Sequence, residues 1–365
     1  MNRRMIMFVY NDITTDARVQ RAADALADVF ELTLISVQKG KVIQDNEYKN
    51  LLVGGRFNGA MSIFETIFTA WHIIRKQHPD IVYCHDYYSA ILAYLLIKTH
   101  YRGKIVYDAH ELMIPEEGRT DKLLNFFYWF EKRIIKKVDL LICASDERSQ
   151  IMQEHYRLKE KPLVVPNISQ LQVKDDDSDV QTIMDTLVDF FNDHKLTVVY
   201  AGAVTSSRRI EMLVDATIKL HDKCKLLIVG KGDDLEVLKE KTANHPELKS
   251  AFTGAVPYKC LGSILSRCDI GFLFYPSDTL NNKYCASNKI YEYASVGLPM
   301  LANDNHTVKK ILEESHIGLS TNDFISGLLK IADERELYKN NCVVFSQENP
   351  WEKTAERLKQ TIVNL

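Results

Sequence analysis

The sequence predicts an α/β protein with two domains, each built on a parallel sheet. Its 365 residues are too many for one core of ordinary size and suit two domains of about 150–200 residues. Short continuous apolar runs alternate with longer helical patterns, and many of the runs end in glycine or polar residues. Such runs are typical of strands buried on both faces of a parallel sheet. We place the domains at residues 1–170 and 171–349, with a cleft between two facing sheets.

Composition narrows the range of functions. The net charge of −3 is too small for a protein that binds nucleic acid. The seven cysteines are scattered without a Cys-x-x-Cys pair, which indicates reduced and mostly buried thiols. The apolar run at residues 5–10 is too short for a signal sequence, and no apolar span reaches about 20 residues. We therefore expect a cytoplasmic protein.

The first domain opens with a strand at residues 5–10, an Ala-rich helix that ends near Asp28, and a returning strand at 30–37. This unit starts a parallel sheet, and ligands of such sheets lie at the carboxyl ends of the strands. The first turn lacks Gly-x-Gly-x-x-Gly, which argues against a dinucleotide-dependent oxidoreductase. Asp16 follows that turn. It can contact a ligand at the end of the strand, but it can equally well be a polar residue at the start of a solvated helix.

Three further segments of this domain place polar residues or glycines where ligands are expected. The loop at 54–59 contains three glycines, which suggest close approach of backbone to a ligand or partner, or else a plain surface turn. The strand at 81–86 ends at His85, and the strand at 104–111 ends at His110 and Glu111. A His directly after a buried strand can exchange hydrogen bonds with a ligand, although a lone His is more often structural.

A long helical pattern at 123–137 combines aromatic and basic residues. Its core stripe is Phe127, Phe130, Ile134 and Val138. Helical spacing leaves Phe126, Trp129, Lys132, Arg133 and Lys136 on the remaining face. Interfacial helices share this composition, so we expect contact with an anionic membrane at its inner face. The alternative is that Phe126 and Trp129 pack inside the domain and leave a basic rim.

In the second domain, a strand at 196–202 ends at Gly202 and leads to Arg208 at a helix start. An arginine there can pair with a diphosphate and offset negative charge that develops on it. Further strands end at Gly230 and near Val256. The acidic run at 174–179 lies where a linker is expected and follows no buried strand, so no Asp-x-Asp metal site is expected.

A capped helix at 287–297 is the most informative stretch. Ser287 or Asn288 can be the N-cap, and Lys289 and Glu292 share a face near the N-terminus. That end carries unpaired N–H groups and a partial positive charge. A diphosphate suits these groups and Lys289, while the carboxylate of Glu292 suits two sugar hydroxyls. An ordinary amphipathic helix with a surface Lys–Glu pair is the alternative.

This stretch resembles the donor-binding segment of the family-4 retaining glycosyltransferases, whose pattern is roughly Pro/Ser-Asn-Lys-x-x-Glu-Tyr-x-x-x-Gly-x-Pro. The match begins at Ser287 and ends at Pro299. Val-Pro-Asn at 165–167 resembles the hinge of that family, and the resemblance spans essentially the whole chain. It implies the GT-B fold, with two Rossmann-like domains and a helix at about 350–365 that packs back on the first.

The resemblance also implies residue roles. Asp-x-His-Glu at 108–111 is similar to the reaction-centre segment, in which the His contacts the transferred sugar. The implied catalytic residues are His110, Arg208 and Lys289. The implied donor-binding residues are Gly202, Arg208, Gly230, Val256, Tyr284, Ser287, Asn288, Lys289 and Glu292. The implied acceptor-binding residues are Asp16, Gly55, Arg56, His85 and Glu111.

The expected reaction is transfer of a sugar from a UDP- or GDP-sugar to a glycan or lipid-linked glycan, as in polysaccharide biosynthesis. The resemblance implies retention at the anomeric carbon, with no metal and no cofactor. Two residues depart from the family pattern: Tyr284 stands where many members have Glu, and Ala203 where many have Arg. They keep open the alternative of a non-catalytic nucleotide-sugar-binding protein, and a nucleotide-sugar epimerase, which can share this fold, is a second alternative.

Overall fold

The computed structural model describes residues 3–37, 48–116, 118 and 121–365. The chain separates into two compact units. Residues 1–167 and 352–365 form the first unit, and residues 168–351 form the second. The first boundary lies three residues before the one placed from the sequence, and the C-terminal segment belongs to the first unit.

Over the described residues, the first unit forms a seven-stranded parallel sheet in the order β3-β2-β1-β4-β5-β6-β7. The strands are β1 (Arg3–Phe8), β2 (Phe30–Val37), β3 (Lys49–Val53), β4 (Ile81–His85), β5 (Lys104–Ala109), β6 (Leu140–Cys143) and β7 (Leu163–Val164). The helices between them are α1 (Ala17–Ala27), α2 (Ala60–Gln77), α3 (Ala90–Lys98), α4 (Lys122–Ile134) and α5 (Asp146–Tyr156). This strand order is that of a doubly wound, Rossmann-like sheet.

β1 is the centre of this sheet because its side chains are apolar on both faces. Met5 and its three successors are at most 2% exposed, and Met5 pairs in parallel register with Leu32 of β2 and Ile81 of β4. The carboxylate of Asp16 caps α1 by accepting a hydrogen bond from the backbone N–H of Val19 at 3.2 Å. All strands run in one direction, so the carboxyl ends of β3, β4 and β5 lie along the same edge.

Residues 168–351, all of which are described, form a six-stranded parallel sheet in the order β10-β9-β8-β11-β12-β13. The strands are β8 (Leu196–Ala201), β9 (Cys224–Val229), β10 (Ser250–Gly254), β11 (Ile270–Leu273), β12 (Met300–Ala302) and β13 (Gly318–Ser320). The helices are α6 (Ser178–Phe191), α7 (Ile210–Lys219), α8 (Leu235–Ala243), α9 (Leu261–Leu265), α10 (Leu280–Lys283), α11 (Asn288–Ser295), α12 (His306–Ser315), α13 (Phe324–Asp333) and α14 (Arg335–Glu348).

α11 is fixed to the second sheet by its buried face. Ile290, Tyr293 and Ala294 are at most 1% exposed, and the Tyr293 hydroxyl accepts a hydrogen bond from the backbone N–H of Ala201 at 3.1 Å. Gly297 has φ of +69°, a left-handed conformation that lets the chain turn away after the helix. The N-terminal turn of α11 is thereby held beside the carboxyl end of β8.

The last helix, α15 (Trp351–Val363), packs on the first unit through Leu358 and Ile362, which are completely buried. Arg3 donates a hydrogen bond to the Val363 carbonyl at 3.0 Å, and the Lys359 ammonium lies 2.6 Å from Asp28. Among the helices of the described residues, none is both long enough and apolar enough to cross a membrane.

Candidate active site

Two glycines shape the carboxyl edge of the second sheet. Gly202 follows β8 with φ of +146°, and Gly230 follows β9 with φ of +149°. A Cβ atom on Gly230 would lie 1.8 Å from the Gly202 carbonyl oxygen, so the two strand ends approach too closely for a side chain. A Cβ atom on Gly202 would lie 2.6 Å from Nζ of Lys289. The ammonium of Lys289 therefore lies against the end of β8.

The N-terminal turn of α11 has groups suited to an anion. Ser287 occupies the N-cap position, but its side chain makes no capping hydrogen bond. Its hydroxyl instead lies 2.7 Å from the Tyr275 hydroxyl. Burial lowers the pKa of Lys289, and the charge of Arg208 acts in the same direction while Glu292 opposes it. Lys289 therefore has both a carboxylate, Glu292, and a second cation, Arg208, close enough to affect its protonation.

Glu292 is 8% exposed and lies one turn further along α11. Its Oε1 atom accepts a hydrogen bond from the Tyr258 hydroxyl at 3.1 Å. Tyr258 is 49% exposed and also hydrogen-bonds with Ser169. Sequence reasoning did not find Tyr258 as a partner of Glu292, because 34 residues separate them. The available signal is that Tyr258 lies two residues after Val256, which the sequence places among the donor-binding residues.

The side chain of Arg208 extends to the segment that follows β11. Its guanidinium donates a hydrogen bond to the Phe274 carbonyl at 3.2 Å and lies 4.6 Å from the centre of the Tyr275 ring. The side-chain amide of Asn303 accepts a hydrogen bond from the backbone N–H of Tyr275 and donates one to its C=O, both at 2.8 Å. Arg208 was expected at a helix start, but it ends a short 3-10 turn, and a left-handed Arg209 separates it from α7.

The remaining donor residues predicted from sequence occupy the same end of the second sheet or the segment before α11. Asn288 is the first residue of α11, and half-buried Val256 follows β10. Tyr284 follows α10, where its ring lies 5.1 Å from that of His306, and the ammonium of Lys283 is 5.3 Å from the Tyr284 ring. Tyr284 is therefore packed among aromatic and basic side chains.

In the first unit, Asp108 at the end of β5 is the centre of a buried polar cluster. Arg18 on α1 donates to both of its oxygens, at 2.7 and 3.2 Å, and the Tyr83 hydroxyl donates to Oδ2 at 3.2 Å. Burial alone would raise the pKa of Asp108, but the charges of Arg18 and His110 hold it well below the usual value. Asp108 is therefore a carboxylate.

Two histidines share this cluster. Nδ1 of His85 lies 3.3 Å from Nε2 of His110, and these nitrogens are 3.6 and 3.7 Å from Oδ2 of Asp108. Burial would lower the pKa of His110, but the Asp108 carboxylate outweighs it and raises that pKa above the usual value. Burial lowers the pKa of His85 despite the same carboxylate. Of the two rings, His110 is thus the more readily protonated.

The predicted acceptor contact of His85 does not fit its position, because the residue is completely buried beneath the surface and its ring stacks on Tyr83. Sequence reasoning placed it at a strand end but could not tell its depth. The side chain of His110 is 16% exposed, so His110 is the member of the pair that a ligand can reach. His85 lies where it can orient His110.

The three ligand atoms of His85, Asp108 and His110 lie within 4.8 Å of one another, a spacing that a metal ion can bridge. The surroundings of Asp108 do not favour a cation. Its Oδ2 atom already accepts hydrogen bonds from Tyr83 and Arg18, and the guanidinium places a positive charge beside it. We interpret the cluster as a hydrogen-bond relay.

The other acceptor residues predicted from sequence divide into two groups. Asp16 caps α1 and accepts a hydrogen bond from Asn11 at 3.0 Å, which is the structural role that its sequence also allowed. Gly55 and Arg56 lie in the loop after β3, and Glu111 follows His110; all three are exposed. They belong to the carboxyl edge of the first sheet, where a ligand can reach them.

Comparisons with known proteins identify the family of both halves of the chain. The model of Glycosyltransferase Family 4 matches residues 17–168, and that of Glycosyl transferases group 1 matches residues 195–334. An uncharacterised glycosyltransferase of Methanocaldococcus jannaschii is 20% identical over 76% of this chain and 72% of its own length.

Two solved structures have the same fold over the full chain. Sucrose-phosphate synthase from Thermosynechococcus elongatus has a TM-score of 0.77 at 14% identity and is matched over 100% of this chain and 99% of its own. Anabaena HepE in complex with UDP and glucose has a TM-score of 0.76 at 13% identity, with 100% of both chains covered.

The fold and these matches define a glycosyltransferase of the GT-B class, which confirms the predicted fold. Within that class, the chain belongs to the family-4, group-1 glycosyltransferases, which confirms the resemblance.

Proposed function

We propose that this glycosyltransferase moves a sugar from a nucleotide-diphosphate sugar to an acceptor, with retention and without a metal. The observation that carries the proposal is the arrangement at the end of β8. Lys289 lies against Gly202, and Glu292 is on the same turn of α11. The charge of Arg208 contributes to the lowered pKa of Lys289. Two cations and one carboxylate thus lie at the carboxyl edge of the second sheet, with the signs that a diphosphate and a ribose require.

In this proposal, Glu292 accepts hydrogen bonds from the ribose hydroxyls of the donor, and the diphosphate lies at the N-terminus of α11. The Ser287 side chain makes no hydrogen bond to the first N–H groups of α11. A diphosphate would satisfy such groups and interact favourably with the helix dipole. A UDP-sugar is the favoured donor because the Anabaena neighbour was solved with UDP and glucose, and a GDP-sugar is the second choice.

Arg208 and Lys289 would stabilise the leaving diphosphate, which gains negative charge as the glycosidic bond breaks. This is the role that a metal ion has in other enzymes, and it is the basis for proposing a metal-independent reaction. Arg208 is suited to it because its stacking on Tyr275 and its bond to the Phe274 carbonyl hold the guanidinium in place. Little reorganisation is then needed in the transition state.

The first unit would bind the acceptor, which we propose to be a glycan or lipid-linked glycan of a surface polysaccharide. His110, held by Asp108 and His85, would contact the transferred sugar. α4 would rest on an anionic membrane. The exposure of Phe126 and Trp129, at 41% and 43%, supports this and contradicts the alternative in which both rings pack inside the domain.

A thermal-shift screen with UDP-, GDP- and ADP-sugars, each with and without EDTA, tests the donor. A cognate ligand at 100 times its dissociation constant should stabilise the protein by about 2.7 kcal/mol. EDTA should leave that shift unchanged. Absence of a shift with every nucleotide sugar would contradict the donor proposal.

Product analysis tests the reaction. Proton NMR should show a glycosidic bond with the anomeric configuration of the donor, whereas an altered free sugar would indicate an epimerase and binding without turnover a non-catalytic protein. Arg208→Ala should reduce kcat by about 100-fold or more while donor affinity falls much less. Equal losses in both would limit Arg208 to binding.

A further inference from the structure

α2 exposes three large apolar side chains in addition to the apolar residues that it buries. Met61, Phe64 and Phe68 share one face and are 60%, 39% and 49% exposed. The opposite, buried face combines the small side chains of Ser62, Thr66 and Ala70 with Ile67 and Ile74. An amphipathic helix normally buries its large apolar side chains in the core. The exposed face of α2 is therefore suited to an apolar ligand.

A groove runs along this face. The loop after β3 and the exposed side of α2 border a cavity of about 920 Å³, and Phe57 of the loop is 46% exposed. The carboxylate of Glu65 accepts hydrogen bonds from the backbone N–H groups of Arg56 and Phe57, both at 3.2 Å. Gly54, at φ of +88°, lets the loop pass Thr66, whose Oγ1 atom would lie 2.7 Å from a Cβ. The groove is thus held open by defined contacts.

The exposed apolar face of α2 continues onto α4. The rings of Phe64 and Phe126 are in edge contact, with centroids 6.4 Å apart. Leu123 and Trp129 of α4 are 59% and 43% exposed. We call the combined face the α2/α4 surface. It consists of Phe57, Met61, Phe64, Phe68, Leu123, Phe126 and Trp129.

Basic residues predominate around the α2/α4 surface, although the Glu65 carboxylate lies 4.0 Å from the Arg56 guanidinium. Residues 122–137 include one acid, Glu131, which is buried. They include five bases: Lys122, Lys132, Arg133, Lys136 and Lys137. The guanidinium of Arg133 lies 3.4 Å from the Trp129 ring centre, and the side chain of Arg56 at the groove is 87% exposed. Such a surface attracts anionic partners and repels a second copy of itself.

The groove is also continuous with the proposed acceptor edge. β3 is four places from β5 in the sheet, or about 19 Å at the usual strand spacing. The loop after β3 and the His110 segment after β5 lie at the same, carboxyl edge. A ligand whose tail lies on α2 can therefore extend its head group along this edge toward His110.

We propose that the α2/α4 surface binds the aliphatic chain of a lipid-linked acceptor, with the anionic linkage of that lipid beside Arg56. This inference rests on the proposed function, in that it specifies the acceptor. It requires more than the adsorption of α4 to a charged membrane, because α2 provides a chain-binding groove of its own.

Calorimetry with small amphiphiles tests the groove directly. The probes are decyl phosphate below its critical micelle concentration, inorganic phosphate, and decyl maltoside. Decyl phosphate should bind the full-length protein at least about tenfold more tightly than inorganic phosphate, because the groove removes its chain from water. The double variant Phe64→Ser with Phe68→Ser should lose that gain. Arg56→Glu should weaken binding of decyl phosphate but not of decyl maltoside.

The matched control is Val237→Ser with Leu337→Ser, which removes two apolar side chains that are 62% and 58% exposed in the second unit. It should bind decyl phosphate like the wild type. The proposal is overturned if decyl phosphate binds no better than inorganic phosphate, or if the Phe64/Phe68 variant binds it unchanged. Sedimentation showing a dimer that this variant abolishes would also overturn it, in favour of a second copy.

The thermal shift with UDP, measured on the same samples, separates this inference from the donor proposal. The Phe64/Phe68 variant should keep the wild-type shift, which also shows that it is folded. If the wild-type protein binds decyl phosphate but no nucleotide, the donor proposal is contradicted and the chain-binding groove is still supported.

Discussion

Glu292 combines low exposure with a neutral hydrogen-bond donor, the Tyr258 hydroxyl, and no arginine or lysine forms an ion pair with it in the described part of the chain. We expect Glu292→Ala to weaken UDP binding by about 2–3 kcal/mol, because two charge-assisted hydrogen bonds to ribose are lost. Calorimetry with UDP measures it. Glu236→Ala, on the exposed face of α8, is the control. Unchanged affinity in a folded Glu292 variant would rule out the ribose contact.

His110 supplies a pH dependence through the carboxylate of Asp108. Its pKa lies above the usual 6.5, so the protonated ring persists to higher pH than an isolated histidine. If transfer uses that form, kcat should fall as pH rises through the raised pKa. Asp108→Asn removes the charge and should move this limb to lower pH. Tyr83→Phe, which removes a hydrogen bond but no charge, should leave it nearly unchanged.

The stability contribution of the His110–Asp108 pair has the same sign. A raised histidine pKa in the folded state stabilises the protein fully below pH 6.5, and the stabilisation is lost as pH rises through the folded-state value.

A pH–rate limb that Asp108→Asn does not move, in a variant with normal circular dichroism, would separate His110 from catalysis.

At the scale of single elements, α4 shows where periodicity succeeds and where it fails. The predicted core stripe is correct at Phe127 and Ile134, whereas Phe130 and Val138 are only half-buried. The residue that takes their place is Glu131, at 1% exposure. It accepts hydrogen bonds from Tyr107 of β5 and Tyr156 of α5. A charged residue type predicted an exposed position, but two distant hydroxyls make burial acceptable.

Glu131 therefore predicts a pH-dependent stability. Burial raises its pKa from 4.5 to about 7, although the two tyrosine hydrogen bonds oppose that shift. The folded state then binds more protons than the unfolded state, so stability falls as pH rises from about 4.5 to about 7, by roughly 3 kcal/mol. Glu131→Gln should match the wild type at pH 5 but melt at a higher temperature at pH 8.

Thermal denaturation at the two pH values measures this difference. Glu336→Gln, on an exposed part of α14, is the control and should show none. A Glu131→Gln variant that is equally destabilised at both pH values would contradict this prediction. The carboxyl group would then stabilise the fold through its packing, and burial of its charge would have no measurable cost.

At the scale of the whole molecule, the sequence predicts what is local. The strands ending in Gly202 and Gly230, the capped α11 and the alternation of elements follow from neighbouring residues. The partners of the site residues do not. Arg18 and Asp108 are 90 positions apart, and Arg208 reaches Phe274 across 66. Which face of α2 is buried likewise depends on its packing against distant elements, so its exposed apolar face was not predicted.

The two units also predict a division of labour. Lys289, Glu292 and Arg208 belong to residues 168–351, whereas His110 and its partners belong to the first unit. His110→Ala should lower the rate of sugar transfer by roughly 10- to 100-fold, the cost of one charge-assisted hydrogen bond in the transition state. The affinity for UDP should stay within about twofold, because UDP lacks the sugar that His110 contacts.

Calorimetry with UDP and a transfer assay, made on one preparation, provide the two readouts. Glu292→Ala is the matched opposite, since it should weaken UDP binding directly. If His110→Ala loses UDP binding as well, while its circular dichroism matches the wild type, the nucleotide must depend on the first unit. Binding of the donor would then not belong to the second unit alone, and the assignment of the acceptor to the first unit would fail with it.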